Sequence, residues 1–458
     1  MKFLAACGRE ASILHGSTNR ELNSVTRLRP VPQSASPKSL GRVALALRIL
    51  LLPLVALALG RLIPTELGIL TVHTAVGATI GDVLYFSHAA FGLMQGHAPY
   101  QPNFLTRPDQ GLPYLYPPLT LLISLPAVLG GSQYLVAFSI TILFASLVGC
   151  AVLGHFARRL GFVGPVGLAV AVLLAATGPV WLTRVDSLQG LLVAGSALAL
   201  VGGRRALAVV LVTLACLVKE TAVLAAVPVG LWCLLPDREN PLPWPQRVRE
   251  VLLGLVPALL IFVVFLIWSS GGEVTSSLTS VHRGMELESI PASVAIALSH
   301  FIPVHPYLGG LGSEQLRGAD VSALAVIAIS LGTIVVGVGS VLLALGHRRP
   351  ATAMALAVAV GLCATPVLSP QYLLDLLPIL AVAAYADFPR AGADRLIALD
   401  LLLAVLTQAE FPYLFGSAVG LHPLGLAALL LRNSILILVA AILSRRIPWS
   451  QLGALVRA

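Results

Sequence analysis

Asp82 stands at the head of an unusually polar stretch. From Gly81 to Leu119 the chain reads GDVLYFSHAAFGLMQGHAPYQPNFLTRPDQGLPYLYPPL, in which Asp, His, Gln, Tyr and Pro replace the aliphatic residues found on either side. A carboxylate within hydrogen-bond reach of a hydroxyl can take its proton as that oxygen attacks an electrophilic carbon. That chemistry makes Asp82 a candidate general base, with Tyr85 on the same face at helical spacing. A carboxylate near a helix start is also what a simple cap looks like, and the two readings stay open.

Lys219 is the second candidate. A lysine within a helix centre costs about 2.5–3.5 kcal/mol on insertion scales, and intramembrane charges usually face a cavity and a partner. Glu220 follows directly, but neighbouring helical positions point about 100° apart, so the two need not meet. Lys219 can serve as a point charge on a phosphate or as half of a structural ion pair. Arg184 and Asp186, at the start of another apolar run, can pair locally or meet a substrate. The segment HRGMELESI, residues 282–290, offers Arg283, Glu286 and Glu288. An arginine there can take a phosphate bidentately, whereas most charge clusters in long loops are solvated. Asp375 lies about one turn inside an apolar run, where a cavity-facing role is open to it. Tyr100, Tyr116, Gln371 and Tyr372 can stack on or hydrogen-bond a sugar, or anchor helix ends at an interface.

The elements that must position these groups are apolar. The 458 residues are 57% hydrophobic and 11% charged, with mean hydropathy +0.92, where a soluble domain carries about 25% charged residues. The composition is that of a polytopic membrane protein. Apolar runs at 43–63, 134–156, 161–180, 187–202, 205–218, 221–235, 251–268, 321–345, 351–368, 372–385, 395–411 and 423–443 predict twelve transmembrane helices. A short proline-led run at 117–129 predicts a re-entrant or interfacial helix. The expected class is all-α. Runs 205–218 and 221–235 can also be read as one long tilted helix.

Charge orients the map. Arg158-Arg159, Arg204-Arg205, Arg238 with Arg247 and Arg249, Arg348-Arg349, Arg390 with Arg395, and Arg445-Arg446 fall at every second turn, which the positive-inside rule assigns to the cytoplasm. Both termini then lie inside a plasma-membrane, multi-pass protein. The polar loops 64–133 and 269–320 lie outside it. Residues 1–42 carry seven basic and two acidic groups, +5 of the net +9. This predicts a disordered cytoplasmic tail that touches anionic membrane lipid, with no nucleic-acid partner. Residues 43–445 form the membrane domain and 446–458 a short cytoplasmic tail. Among the five cysteines, Cys150, Cys216, Cys233 and Cys363 sit in apolar runs without metal-ligand spacing, so no metal site or disulfide framework is expected.

The order of features resembles a known family. Asp82 with Tyr85, then Gly96, Pro99-Tyr100 and Tyr116-Pro117-Pro118-Leu119, resembles the first outer loop of GT-C membrane glycosyltransferases. It is most similar to the polyprenol-phosphate-mannose-dependent α-(1→2)-mannosyltransferases of actinobacteria. The resemblance continues at Gln189, Lys219, Arg283 with Glu288-Ser289-Ile290-Pro291, and Ser369-Pro370-Gln371-Tyr372, and spans 43–445. It implies a GT-C type architecture with structured extracytoplasmic loops and Asp82 as catalytic base. It also implies Lys219 and Arg283 on the donor phosphate, and an outward-facing site contacted by Tyr85, Tyr100, Tyr116, Arg184, Asp186, Gln189, Glu220, Glu288, Gln371 and Tyr372. The implied partners are a polyprenyl-phosphate sugar donor and a cell-envelope glycolipid or glycan acceptor, with no cofactor beyond the donor. One aspartate stands where many GT-C enzymes carry paired acids, and Glu220-Thr221 follows Lys219 where a proline is expected. A transporter or flippase of a lipid-linked sugar is the alternative; its polar groups should line a path near the membrane midplane.

Overall fold

The computed structural model describes residues 49–51, 53–55, 77–101, 104–105, 114–162, 164–235, 242–272, 284–299, 304–308, 313–318, 321–345 and 349–448. The chain divides into two units, Met1–Leu40 and Gly41–Ala458, and every described residue belongs to the second. The expected tail 1–42, all but residues 446–448 of the expected tail 446–458, the first expected span 43–63 apart from six helical residues, and Arg283 lie outside the described residues.

The architecture is mostly helical. In chain order the helices are α1 (Gly77–Met94), α2 (Pro118–Ser124), α3 (Tyr134–Arg159), α4 (Val166–Ala176), α5 (Asp186–Val201), α6 (Arg205–Val218), α7 (Val223–Leu234), α8 (Trp244–Trp268), α9 (Ile290–Ala297), α10 (Val321–Leu345), α11 (Pro350–Ala364), α12 (Leu373–Asp387), α13 (Arg390–Gln408) and α14 (Pro423–Ser444), with short turns between them. Among the described residues, five helical stretches are long and apolar enough to cross a membrane: Pro118–Arg159, Trp244–Trp268, Val321–Ala344, Arg390–Val419 and Pro423–Ser444.

This corrects the expectation of about twelve spans. The apolar runs counted as spans between 161 and 235, and at 351–368, resolve into helices of 11 to 16 residues. At about 1.5 Å per residue they fall short of the roughly 30 Å hydrocarbon core. Backbone breaks set these lengths. Gly178, at φ 63°, ends the run that begins in α4. Lys219 is extended at φ −157° and ψ 141°, which stops α6 and rules out one long helix over 205–235. The argument that put both termini on one side counted twelve crossings and falls with that count.

Burial separates two kinds of helix. Along α8 only Gly254, Ala258 and Phe265 are buried, while Leu252, Leu253, Leu259, Leu260, Val264 and Ile267 are exposed. Exposed aliphatic residues on a long helix are the surface a bilayer covers. Trp244 and Trp268 bound the helix like residues of the two interfacial belts. α4 and α11 are the reverse, apolar all round and buried nearly throughout, as a helix enclosed by others must be. Small residues let these helices close up. A Cβ on Gly190 of α5 would run into the Leu374 carbonyl of α12, and Gly154 of α3 meets Gly167 of α4 backbone to backbone.

The all-α expectation is corrected as well. Between α8 and α10 lies a three-stranded antiparallel sheet, ordered β1 (Met285–Glu286), β3 (Glu314–Arg317), β2 (His305–Leu308). Glu286 pairs with Gln315 and Tyr307 with Gln315 across it. With α9 it forms a small second core of Met285, Leu287, Ala292, Ala295, Ile296, Leu316 and Val321. Strands of two to four residues are too short to show a period-2 pattern in the sequence.

Candidate functional site

The polar groups meet around the turn before α5, where Arg184 reaches Asp82 of α1 and Asp186 reaches Lys219 at the end of α6. α1 begins at Gly77, more than a turn before Asp82, so this carboxylate caps nothing. It lies instead 3.0 Å from Nε of Arg184, and the Tyr116 hydroxyl donates to the same Oδ2 at 3.3 Å. The Asp82 side chain is 34% exposed, whereas Arg184 behind it is 5% exposed. Arg184 Nη1 donates to the Thr183 carbonyl at 3.1 Å.

Two residues further on, Asp186 opens α5 and receives the Lys219 ammonium at 2.5 Å. Arg184 and Asp186 therefore do not pair with each other. Each reaches an opposite charge on a different element, and the turn between α4 and α5 ties α1 to α6. The extended backbone at Lys219 turns its side chain inward, under the Tyr372 ring at 3.8 Å from the centroid. Glu220, beside it, is exposed, so the sequence-adjacent acid is not the lysine's partner. Below this pair the Thr221 hydroxyl donates to Asp375 Oδ2 at 2.9 Å. Gln189, in the orientation that satisfies both ends of its amide, donates to Asp375 Oδ1 at 3.2 Å and accepts from the Ala222 N–H at 2.9 Å.

The tyrosines divide by role. Tyr116 touches the aspartate. The Tyr85 hydroxyl accepts from the Leu115 N–H at 2.7 Å and its ring stacks on Tyr114 at 5.5 Å. The Tyr100 hydroxyl donates to the Tyr116 carbonyl at 2.8 Å. Tyr85 and Tyr100 thus hold the loop that presents Tyr116. Tyr114, buried among these rings, has its phenol pushed well above the ordinary range by desolvation. Gln371 is half-buried next to Tyr372.

A second polar cluster lies beside the sheet. Arg432, on α14, donates to Glu410 at 2.8 Å and to the backbone carbonyl of Glu288 at 2.6 Å. Asn433 donates to Ser293 Oγ at 2.7 Å and to the Glu288 carbonyl at 3.1 Å. Glu288 itself is buried. Desolvation, followed by the nearby Glu410 carboxylate, raises its carboxyl well above the usual range. The Glu288 backbone is therefore part of an anchor for α9 and the sheet. The two clusters are linked, because Ser369 donates to Glu286 at 3.0 Å and the same turn carries Tyr372.

Sequence reasoning did not single out Glu410, Arg432, Asn433 or Asp400. Asp400 is a lone polar residue within an apolar run and Arg432-Asn433 a charged and polar pair within another, and that was the available signal. Asp400 is fully buried in α13, and neither of its oxygens has a hydrogen-bond partner among the described residues. No group of His, Cys, Asp and Glu that could hold a metal is present among the described residues. No protein-family model matches the chain, and no curated protein or solved structure matches it.

The arginines collect at the other ends of the same helices. Arg204 lies over the Phe156 ring and Arg446 over the Phe388 ring. Arg247 donates to the Leu234 carbonyl, and Gly164 abuts Tyr385. One end of the bundle is thus rich in arginine, and the other carries Asp82, Asp186, Lys219 and Asp375.

Proposed function

We propose that this chain is an integral-membrane glycosyltransferase. It moves a sugar, mannose by the resemblance at Asp82, Tyr85 and Tyr116-Pro117-Pro118, from a polyprenyl-phosphate-linked donor to a cell-envelope glycolipid or glycan. The arginine-rich end faces the cytoplasm by the positive-inside rule, so the site around Asp82 faces outward. In the reaction the acceptor oxygen forms a bond to the anomeric carbon as the bond from that carbon to the phosphate oxygen breaks. The acceptor proton passes to Asp82, and polyprenyl monophosphate departs. Attack opposite the leaving group inverts the anomeric centre.

The observation that carries this reading is the state of Asp82: half-open, and held by the buried cation Arg184 and by Tyr116. A base needs access to the acceptor, and a departing phosphate needs positive charge that is already in place. The groups around Asp82 gather at one end, which favours an enzyme over a transporter, whose groups would line a path through the midplane; Asp400 and Arg432, midway along α13 and α14, are buried apart from that cluster.

Asp82→Asn keeps the shape of the side chain and removes the base. We expect it to fold, with a somewhat lower unfolding midpoint because Arg184 loses its carboxylate, while losing about 10²–10⁴-fold in sugar transfer from a polyprenyl-phosphate-linked donor. Transfer is read by mass spectrometry of the acceptor glycolipid. Wild-type rates in this variant would sink the assignment.

A further inference from the structure

The reading above requires a cation for the donor's phosphate, and Lys219 is poorly placed to be it. Its charge is answered by Asp186 and covered by the Tyr372 ring. Drawing the lysine away would strand Asp186, whose second oxygen is buried without a hydrogen bond among the described residues. Leaving one member of a buried pair uncompensated is strongly unfavourable. Arg184 differs in three respects. Its carboxylate partner is the exposed member of the pair, at 34% against 5%. The 3.0 Å contact at Nε is an ion-pair distance without hydrogen-bond alignment, so it holds by charge rather than by a directed bond. Arg184 also donates from Nη1 to the Thr183 carbonyl, a bond that does not involve the carboxylate and can persist when the carboxylate leaves. A planar guanidinium fork also suits a phosphate better than an ammonium does.

We propose that Arg184 binds the phosphate of the lipid-linked donor, and that the phosphate takes the place of Asp82 on the guanidinium. This rests on the transferase reading of Asp82. In the structure the guanidinium and the carboxylate form an ion pair. An incoming phosphodiester competes for the same donors and turns the carboxylate toward the acceptor hydroxyl. A carboxylate freed from a guanidinium is the stronger base, so Asp82 becomes active only once a donor is in place. Donor binding therefore precedes acceptor activation, and Lys219 with Asp186 acts as a fixed support for the turn that carries Arg184.

The test uses purified full-length protein in nanodiscs and three probes: polyprenyl monophosphate, polyprenol of the same length, and inorganic phosphate. We expect the wild type to prefer the monophosphate over the alcohol by about tenfold or more, and Arg184→Gln to erase that preference. Asp82→Asn removes the competing anion, so it should bind polyprenyl monophosphate severalfold more tightly while transferring no sugar. A merely structural ion pair predicts unchanged or weaker binding in Asp82→Asn, and that result overturns the exchange. So does an Arg184→Gln protein that keeps the preference. Should Arg184→Gln fail to fold, the Asp82→Asn measurement decides alone. Inorganic phosphate binding as tightly as the lipid would overturn the lipid-linked source. The two readings fail separately. Tighter binding in Asp82→Asn with no sugar transfer by the wild type removes the transferase and keeps the Arg184 site. Transfer with unchanged Asp82→Asn affinity does the opposite.

Discussion

Lys219 shows how a buried charge is read at the scale of one residue. Its partner Asp186 is fully buried and the lysine nearly so, and a pair of this kind contributes little over a well-packed apolar substitute. Removing one member alone is different, because it strands the other. We expect Asp186→Leu to destabilise the protein by about 3–5 kcal/mol, read as a lower unfolding midpoint in detergent. Adding Lys219→Met should restore most of that loss. Additive effects of the two substitutions would mean that the residues do not act as a pair. The sequence marked Lys219 and Asp82 as costly or exceptional residues. It marked Arg184 and Asp186 as well, but as a local pair or substrate contacts and not as these partners: Lys219 passes over the adjacent Glu220 to reach Asp186, and Asp82 reaches Arg184. Helical spacing relates residues three or four apart, whereas these pairs join different elements.

At the scale of elements, Arg432 and Asn433 fasten α9 and the sheet to α14 through the backbone of Glu288 and the side chain of Ser293. This places Glu286 against Ser369, beside the turn that carries Tyr372. Arg432→Met removes the ion pair with buried Glu410 and the hydrogen bond to Glu288. We expect the amides of 284–299 to exchange with solvent at least about tenfold faster in this variant, since breaking a buried pair costs several kcal/mol locally. Unchanged exchange there would show that the second core alone holds the segment. The long apolar helices α8, α10 and α14 were legible, because 20 or more apolar residues have few other uses. The breaks at Gly178 and Lys219 were not, because an apolar run looks the same whether its backbone continues or turns.

At the scale of the molecule, charge divides the two ends of the bundle more sharply than hydropathy divides its spans. If the arginine end is cytoplasmic, a cysteine at Glu220 should react with a membrane-impermeant maleimide on intact cells. A cysteine at Arg249, beside Trp244, should react only after permeabilisation. The described native cysteines are buried or half-buried, which keeps the background low. Labelling of both positions from the same side would overturn this orientation and with it the outward-facing site.

Composition by itself determined that this is a membrane protein, because so few charges on so many aliphatic residues leave no soluble alternative. The arginines determined which helix ends gather together, since charge at a turn depends on sequence alone. Tertiary structure decided how many helices are long enough to cross, because length depends on where the backbone breaks and on which apolar faces meet protein instead of lipid. It also decided that Asp82 answers Arg184 and Lys219 answers Asp186. Those contacts join residues 33 and about 100 positions apart, and only packing of the intervening helices brings them within reach.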